Sequence, residues 1–360
     1  MVKRLKRSGA SSRVPALRDF EAFRDVIATY RLPRILFTAL DLDLFTAMGT
    51  RAWTIPALAK QLRVSERGLD ILCRNLAGAG ILVKQRQIYR NGPVAATTLN
   101  ADSADYRRGY INLIRDQWTE WGKLTESVRS GRPVDSDHHQ DDAAYRREFS
   151  WAMHHRSIDV APAVAAQVNL KRVQTLLDLG GGPGTYALEF LRCNPRLHAT
   201  VADRPAALDV AREIAASVKH GRRLSYLPLD FLKDEILGRY DLIWFSNVLH
   251  IYSAKDNQRL FQKMAKALNP GGRVLIQDAF LVDPNGLRPQ EAKLFAVTML
   301  LFTEEGNTYS VDDTTRWLRR ARLNRVRPIP LKKGTGDWEH GLLEATLAGG
   351  RRETPGRRSR

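Results

Sequence analysis

Residues 176–190, LLDLGGGPGTYALEF, place glycine at four of five consecutive positions between two apolar runs. Glycines packed that densely belong where the backbone takes positive φ or where another group must come close to it. With its flanks the stretch reads as a buried strand ending at Asp178, a turn through Gly180, Gly181, Gly182 and Gly184, and a helix. The first amides of that helix have no partner within it, so they face the turn. The pattern then repeats. LHATVAD, LSYLPLD, YDLIWFSNVL and GGRVLIQDAF read as strands, and AALDVAREIAASV, AKDNQRLFQKMAKAL and SVDDTTRWLRRARL as helices, with VRPIPL and LLEATLA as late strands. This alternation specifies an α/β fold with a Rossmann-like, doubly wound sheet.

The residues ahead of it have another character. In 19–48 the apolar positions recur at helical spacing, one stripe being Phe20, Phe23, Val26, Ile27 and Tyr30. Pro33 breaks or starts a helix there. The surplus of large apolar groups calls for burial beyond the domain itself, such as against a second subunit. Next, Thr54 with Pro56, and then Ser65, have the chemistry of helix starts. Leu69, Leu72 and Leu76 line the second helix, Gly78 and Gly80 end it, and ILVKQRQIY suits a short hairpin. Helix, turn, helix and hairpin describe a winged helix. Its second helix offers Glu66, Arg67, Asp70, Arg74 and Asn75 outward, two acids against two bases, a poor surface for phosphates. A structural or dimerisation role is the better reading, and nucleic acid is not expected as a partner.

Length and composition place the chain among two-domain, non-membrane proteins: 360 residues, 43% hydrophobic, with no long uncharged apolar run. The basic start is followed by no apolar core of a signal peptide. Cys73 and Cys193 sit in no metal-ligand spacing, so a cytoplasmic protein without zinc is expected. His138 and His139 lie among aspartates in SGRPVDSDHHQDD, but nothing fixes such ligands in a polar loop, and no metal is assigned. The net charge of +18 owes ten units to the tails, 1–18 and 349–360, which read as basic and disordered. Between them the expected divisions are 19–100, a winged-helix domain; 101–170, a helical connector reaching the substrate pocket; and 171–348, the α/β domain.

Two ligands compete for the glycine turn. Gly182 to Ala187 formally satisfies the dinucleotide pattern G-x-G-x-x-A, a weak signal alone, and Pro183 removes an amide a pyrophosphate would want. S-adenosylmethionine fits better. Its carboxylate suits the turn, Asp178 suits its ammonium, and Asp203, closing the second strand, suits a ribose. Asp230, ending the third strand, suits an adenine amino group, with Phe231 against the ring. Three acids at three strand ends favour a cationic nucleoside and repel a dinucleotide's phosphates.

Taken in order, ALDLDLFTAM, LLDLGGGPGTYALEF, VADRP, LPLDFLKD, SNVLHIYS, LNPGGRVLIQDAFL and TEEGNTYSVDD resemble one family. It is the class I S-adenosylmethionine-dependent small-molecule O-methyltransferases, which include plant caffeate and flavonoid enzymes and bacterial hydroxyneurosporene-type enzymes. The resemblance spans about residues 20–348 and implies a homodimer formed through the N-terminal domain. It further implies that Gly180, Gly182, Asp203, Asp230, Phe231 and Ser246 face the cofactor, that His250 is the catalytic base with Asp278 orienting it, and that Met153 lines the substrate. Plant members follow the histidine with Asp-Trp, whereas this chain has Ile251-Tyr252. A second acidic helper of the plant enzymes aligns near Thr308, which cannot serve, leaving Glu304 or Glu305 as substitutes. The departures point to a bacterial-type branch.

The implied chemistry is transfer of a methyl group to a hydroxyl of a small, aromatic or polyketide-like metabolite. A phenol of pKa about 10 is mostly neutral at pH 7, and an imidazole of ordinary pKa about 6.5 suits its proton. His250 follows the strand YDLIWFSNVL, at the carboxyl edge where such sheets bind ligands. C-methylation, a winged-helix regulator sensing the cofactor, and a nicotinamide oxidoreductase remain as rivals. Base methylation of nucleic acid does not fit, because FSNVLHIYS stands where amino-directed enzymes carry an N/D-P-P-Y-like turn.

Overall fold

The computed structural model describes residues 17–134, 142–283, 285–331 and 341–348. The chain divides into compact units at 1–115 and 116–360, where the sequence suggests a three-way division at 100 and 170. The helix Arg108–Trp121 runs through the boundary.

In the first unit, helices Phe20–Ala28, Arg31–Asp41 and Leu44–Met48 precede the winged-helix segment. Asp19 caps the first by accepting from the Ala22 amide at 2.8 Å. Pro33 breaks nothing, since it sits in the first turn of the second helix, where a missing N–H is tolerated. Ile55–Leu62 and Glu66–Gly78 follow, the latter capped by Ser65 Oγ accepting from the Gly68 amide. Gly80, at φ +75°, turns the chain into a hairpin of Leu82–Gln85 and Ile88–Asn91, which Trp53–Thr54 extends to three antiparallel strands. Leu44, Phe45, Met48, Leu58, Leu69, Leu76 and Tyr89 form the core. Arg74 pairs with Asp70 at 2.7 Å, so part of the basic charge on the second helix is neutralised locally.

The second unit is a seven-stranded sheet. Its strands are β1 (Thr175–Leu179), β2 (His198–Asp203), β3 (Leu224–Pro228), β4 (Tyr240–Ser246), β5 (Leu268–Gln277), β6 (Leu323–Pro328) and β7 (Leu342–Leu347). Their order is β3-β2-β1-β4-β5-β7-β6. The first five run parallel, and β7 is antiparallel to both neighbours. The near-continuous apolar character of β1, β4 and β5 reflects burial on both faces. Leu177, Ile243, Phe245, Val274 and Ile276 pack under the helix Ala254–Ala267 through Phe261 and Met264. Leu176, Trp244 and Leu275 pack on the other face against Phe190 and Leu191 of the helix Thr185–Cys193. Chain order reverses between β1 and β4, so a crevice opens beyond their carboxyl ends, where open α/β sheets bind ligands.

Three details differ from the sequence reading. The strand expected over 240–249 stops at Ser246, because Asn247 takes φ +55°. Asp230 lies two residues beyond the end of β3 rather than in it. A helix, Gln290–Phe302, occupies a segment in which the sequence reading places no element. Its polar residues Gln290, Glu291 and Lys293 gather in the first turn and the rest is nearly all apolar, so no amphipathic stripe announces it.

Candidate active site

Strand and helix meet at the glycine turn, and two of its glycines are required by the protein's own atoms. Gly180 has φ +71°, and a Cβ there would come within 2.7 Å of Val248 Cγ2. A Cβ on Gly181 would come within 2.4 Å of the Asp178 carboxyl carbon. The close neighbour inferred from the sequence is therefore partly internal. At Gly182 the space is open: a Cβ would meet only Asp203 Oδ2, at 3.9 Å.

The three acids have distinct environments. Asp178, just before the end of β1, is buried, and its Oδ2 has no hydrogen-bond partner. Burial pushes its carboxyl up to about 7; the Ala187 amide pulls it down and the Asp203 charge adds to the rise. Asp203 closes β2 and accepts from the Gly182 amide at 2.8 Å and the Arg204 amide at 2.7 Å. Burial raises its pKa as well, against the pull of those two amides. Each of its oxygens retains a second lone pair for a ligand hydroxyl. Asp230 is half-exposed. Burial works to raise its pKa, but Lys233, 3.2 Å away, and the amides of Leu232 and Lys233 prevail and lower it.

Phe231 is buried, its Cζ 3.5 Å from where a Gly180 Cβ would lie, and its ring meets Tyr252 edge-on at 5.8 Å. Burial pushes the Tyr252 hydroxyl up to about 12, with Arg204 lowering it and Asp203 and Asp230 raising it. The residue that departs from the plant pattern thus feels both acids. Lys263 donates to the carbonyls of Phe231, Leu232 and Asp234 at 2.7–3.0 Å, stapling this loop to the helix Ala254–Ala267. Ser246, last in β4, donates to Gln277 Oε1 at 3.2 Å and accepts from Asn247 Nδ2 at 2.9 Å.

His250 sits in a single 3₁₀ turn, Leu249–Ile251, after β4. Its Nδ1 is 2.8 Å from Asp278 Oδ1, and both residues are buried. Asp278 follows β5, and the same oxygen accepts from the Ala279 amide at 2.7 Å, while Oδ2 is buried without a partner. This arrangement makes Nδ1 the protonated nitrogen and leaves Nε2 as an acceptor. Phe295, on the helix missed by the sequence reading, meets the imidazole edge-on at 4.6 Å. Glu304 and Glu305 are exposed, and Thr308 is buried with its amide on Asn307 Oδ1. Among the described residues, Asp278 is the carboxylate bonded to His250.

Met153 is half-buried on the helix Ala143–Ser157, whose His154 Nδ1 lies 2.9 Å from Thr185 Oγ1 at the start of the glycine-turn helix. Residues 135–141, including His138 and His139, lie outside the described residues, and Asp142 caps that helix by accepting from the Tyr145 amide. Among the described residues no helix is long and apolar enough to cross a membrane, and no cluster of three metal-ligating side chains occurs.

A glycine turn leading into a helix, an orphaned buried carboxylate beneath it and a ribose-type acid on β2 fit a cationic adenosyl ligand. The comparisons agree. A family model for an O-methyltransferase domain matches residues 121–321, and one for an O-methyltransferase dimerisation domain matches 25–101. The 3-hydroxy-5-methyl-1-naphthoate 3-O-methyltransferase of Streptomyces sahachiroi is 31% identical over 300 residues, covering 82% of this chain and 86% of the relative. The tetracenomycin polyketide synthesis 8-O-methyltransferase of Streptomyces glaucescens is 28% identical over 303 residues, covering 82% and 88%. Human N-acetylserotonin methyltransferase, solved in complex with its methyl donor, shares the fold with a TM-score of 0.78 at 21% identity, covering 94% of this chain and 99% of that one. Fold and site define an S-adenosylmethionine-dependent methyltransferase. The chain belongs to the O-methyltransferase family that pairs this catalytic domain with an N-terminal dimerisation domain.

Proposed function

We propose that this enzyme methylates a hydroxyl of a small aromatic or polyketide-derived metabolite, with His250 as general base, acting as a cytoplasmic homodimer. One observation carries the reading: His250 Nδ1 is bonded to buried Asp278 at 2.8 Å, which leaves Nε2 as the nitrogen able to accept a proton. The bound cofactor supplies an electrophilic methyl group on a sulfonium. Asp178 would receive its ammonium, the backbone of Gly180, Gly181 and Gly182 would border its carboxylate, and Asp203 would take the ribose hydroxyls. Asp230 and Phe231 would hold the adenine, beside Ser246. His250 Nε2 accepts the hydroxyl proton as the new O–C bond forms and the methyl–sulfur bond breaks, its electron pair staying on sulfur as a neutral thioether, and Asp278 fixes the tautomer and stabilises the imidazolium. Such a base is worth about 10²–10⁴ in rate.

Phe295 offers an aromatic wall beside the base, and Met153 lines the acceptor side. The named activities of the naphthoate and tetracenomycin relatives support an aromatic acceptor. The dimerisation-domain match supports the homodimer, as does the first helix, which buries no residue and leaves Phe20 76% exposed.

The test is methyl transfer from S-adenosylmethionine to a panel of hydroxynaphthoates and hydroxylated anthraquinones, with products mapped by NMR. O-methylated product from wild type and loss in His250→Ala are expected. Carbon-methylated product overturns the assignment of the acceptor atom, and wild-type turnover in His250→Ala overturns the base.

A further inference from the structure

The turn that carries His250 is one 3₁₀ turn of three residues, too short to satisfy its own carbonyls. Other residues satisfy them. Asn257 is fully buried in the first turn of the helix Ala254–Ala267, and its Nδ2 donates to Leu249 O at 2.8 Å and to Tyr252 O at 3.0 Å. One amide group thus spans the carbonyls on either side of His250. Tyr309 Oη donates to the same Tyr252 carbonyl at 2.6 Å, and the Asn307 amide donates to His250 O at 2.9 Å. Gly306 lies so close beneath that a Cβ would come within 2.5 Å of His250 O. Side-chain orientation is set separately, by Asp278 on Nδ1 and Phe295 against the ring.

Resting on the general-base reading of His250, we propose that Asn257 and Tyr309 are positioning residues that clamp the His250 turn, so that Nε2 is held at bonding distance from the acceptor hydroxyl. The division of labour is physical. Asp278 controls the tautomer and rotation of the ring; the clamp controls where the backbone beneath it sits. Losing Asn257 removes its bond to Leu249 O and leaves Tyr252 O to Tyr309 alone, and the turn gains freedom to tilt. A displacement of about 1 Å is enough to lower a rate about 10²-fold. Asp178, Asp203 and Asp230 stand on other elements, and the clamp reaches the adenine side only through the Tyr252 ring against Phe231, so cofactor affinity is expected to change little.

The experiment uses the full-length enzyme and an acceptor turned over by wild type. Asn257→Leu keeps roughly the same volume and removes both donors, and Tyr309→Phe removes one hydroxyl. Expected for Asn257→Leu is a kcat lower by about ten-fold or more, with the dissociation constant of S-adenosylhomocysteine within about two-fold of wild type. Tyr309→Phe is expected to lose about three-fold with the same split, and it decides the matter if Asn257→Leu does not fold. A downfield proton resonance from the His250 Nδ1–H, identified by its absence in His250→Ala, should shift or broaden in both variants. Wild-type kcat, or an equal loss of cofactor-product affinity and rate, overturns the clamp. His250→Ala separates the two failures. Wild-type turnover there removes the base reading and this inference with it, whereas loss there beside wild-type kcat in the clamp variants removes the inference alone.

Discussion

Replacing Asp178 by Asn should stabilise the ligand-free protein while destroying its affinity for the methyl donor. The folded protein holds this carboxyl at about 7 against an ordinary value of 3.8. At about 1.4 kcal/mol per pKa unit, an ionised Asp178 destabilises the fold by about 4 kcal/mol. The side chain is 2% exposed, so solvent screening does not dilute that figure much. A folded pKa above the unfolded one means that the native state binds the proton more tightly. The contribution is therefore neutral below pH 3.8, grows unfavourable through the interval, and is complete above about 7. Asparagine removes the charge and can still accept from the Ala187 amide. Urea unfolding should show Asp178→Asn more stable than wild type by about 4 kcal/mol near pH 8 and about 2 kcal/mol near pH 5.5. Calorimetry should show S-adenosylmethionine affinity lower by about 10²-fold or more, as expected when a buried charge partner is lost. Below pH 7, binding to wild type should release a proton as the ammonium ionises Asp178, visible as a buffer dependence of the binding enthalpy. A variant less stable than wild type at pH 8, or one with unchanged affinity, refutes the reasoning.

Gly180→Ala should destabilise by about 1–3 kcal/mol, since it combines φ +71° with a Cβ 2.7 Å from Val248, and Val248→Ala should recover part of that in thermal unfolding. Asp230→Asn should weaken S-adenosylhomocysteine binding by no more than about ten-fold, because the carboxylate is half-exposed and already paired with Lys233. Phe295→Ala should reduce kcat/KM for the acceptor with the cofactor dissociation constant unchanged, the edge-on contact with His250 being worth about 0.5–1.5 kcal/mol. Equal effects on cofactor and acceptor would place Phe295 in the fold rather than at the acceptor side.

What could be read from the sequence follows from where physics is local. The β1–turn–helix unit, the cap at Ser65 and the apolar strands β1, β4 and β5 are written in short windows, and the structure has them, whereas Thr54 starts its helix without a side-chain capping bond. The acids could be found because each lies at or just past a strand end, a position given by counting. Their environments could not. Nothing in LPLDFLKD says that Lys233 answers Asp230, while Asp178 keeps a bare oxygen. The helix Gln290–Phe302 escaped because its few polar residues cluster in the first turn and leave no polar stripe to mark its period. With it went Phe295. Asn257 escaped for another reason: its meaning is a pair of long-range bonds to carbonyls, and a carbonyl carries no sequence signal. The glycine turn was read for the right conformation with part of the wrong neighbour, since Val248 and the Asp178 side chain occupy the space over Gly180 and Gly181.

Two buried carboxylate oxygens without partners, Asp178 Oδ2 and Asp278 Oδ2, flank the cleft at the ends of β1 and β5. A fold selected for stability alone would satisfy or remove both, because an unpaired buried acceptor costs about 1–3 kcal/mol and more when charged. Their positions match the two places where positive charge arises in the proposed reaction. One is the ammonium that arrives with the cofactor. The other is the imidazolium that forms on His250 as the acceptor hydroxyl gives up its proton. A carboxylate already placed where the imidazolium forms needs no reorganisation when that positive charge appears, which is the condition for it to lower a barrier rather than merely bind. On this argument the Asp278→Asn variant should behave unlike Asp178→Asn. It should keep cofactor affinity and show a loss confined to kcat, and a loss of cofactor binding instead would show that the two acids serve one site, not two.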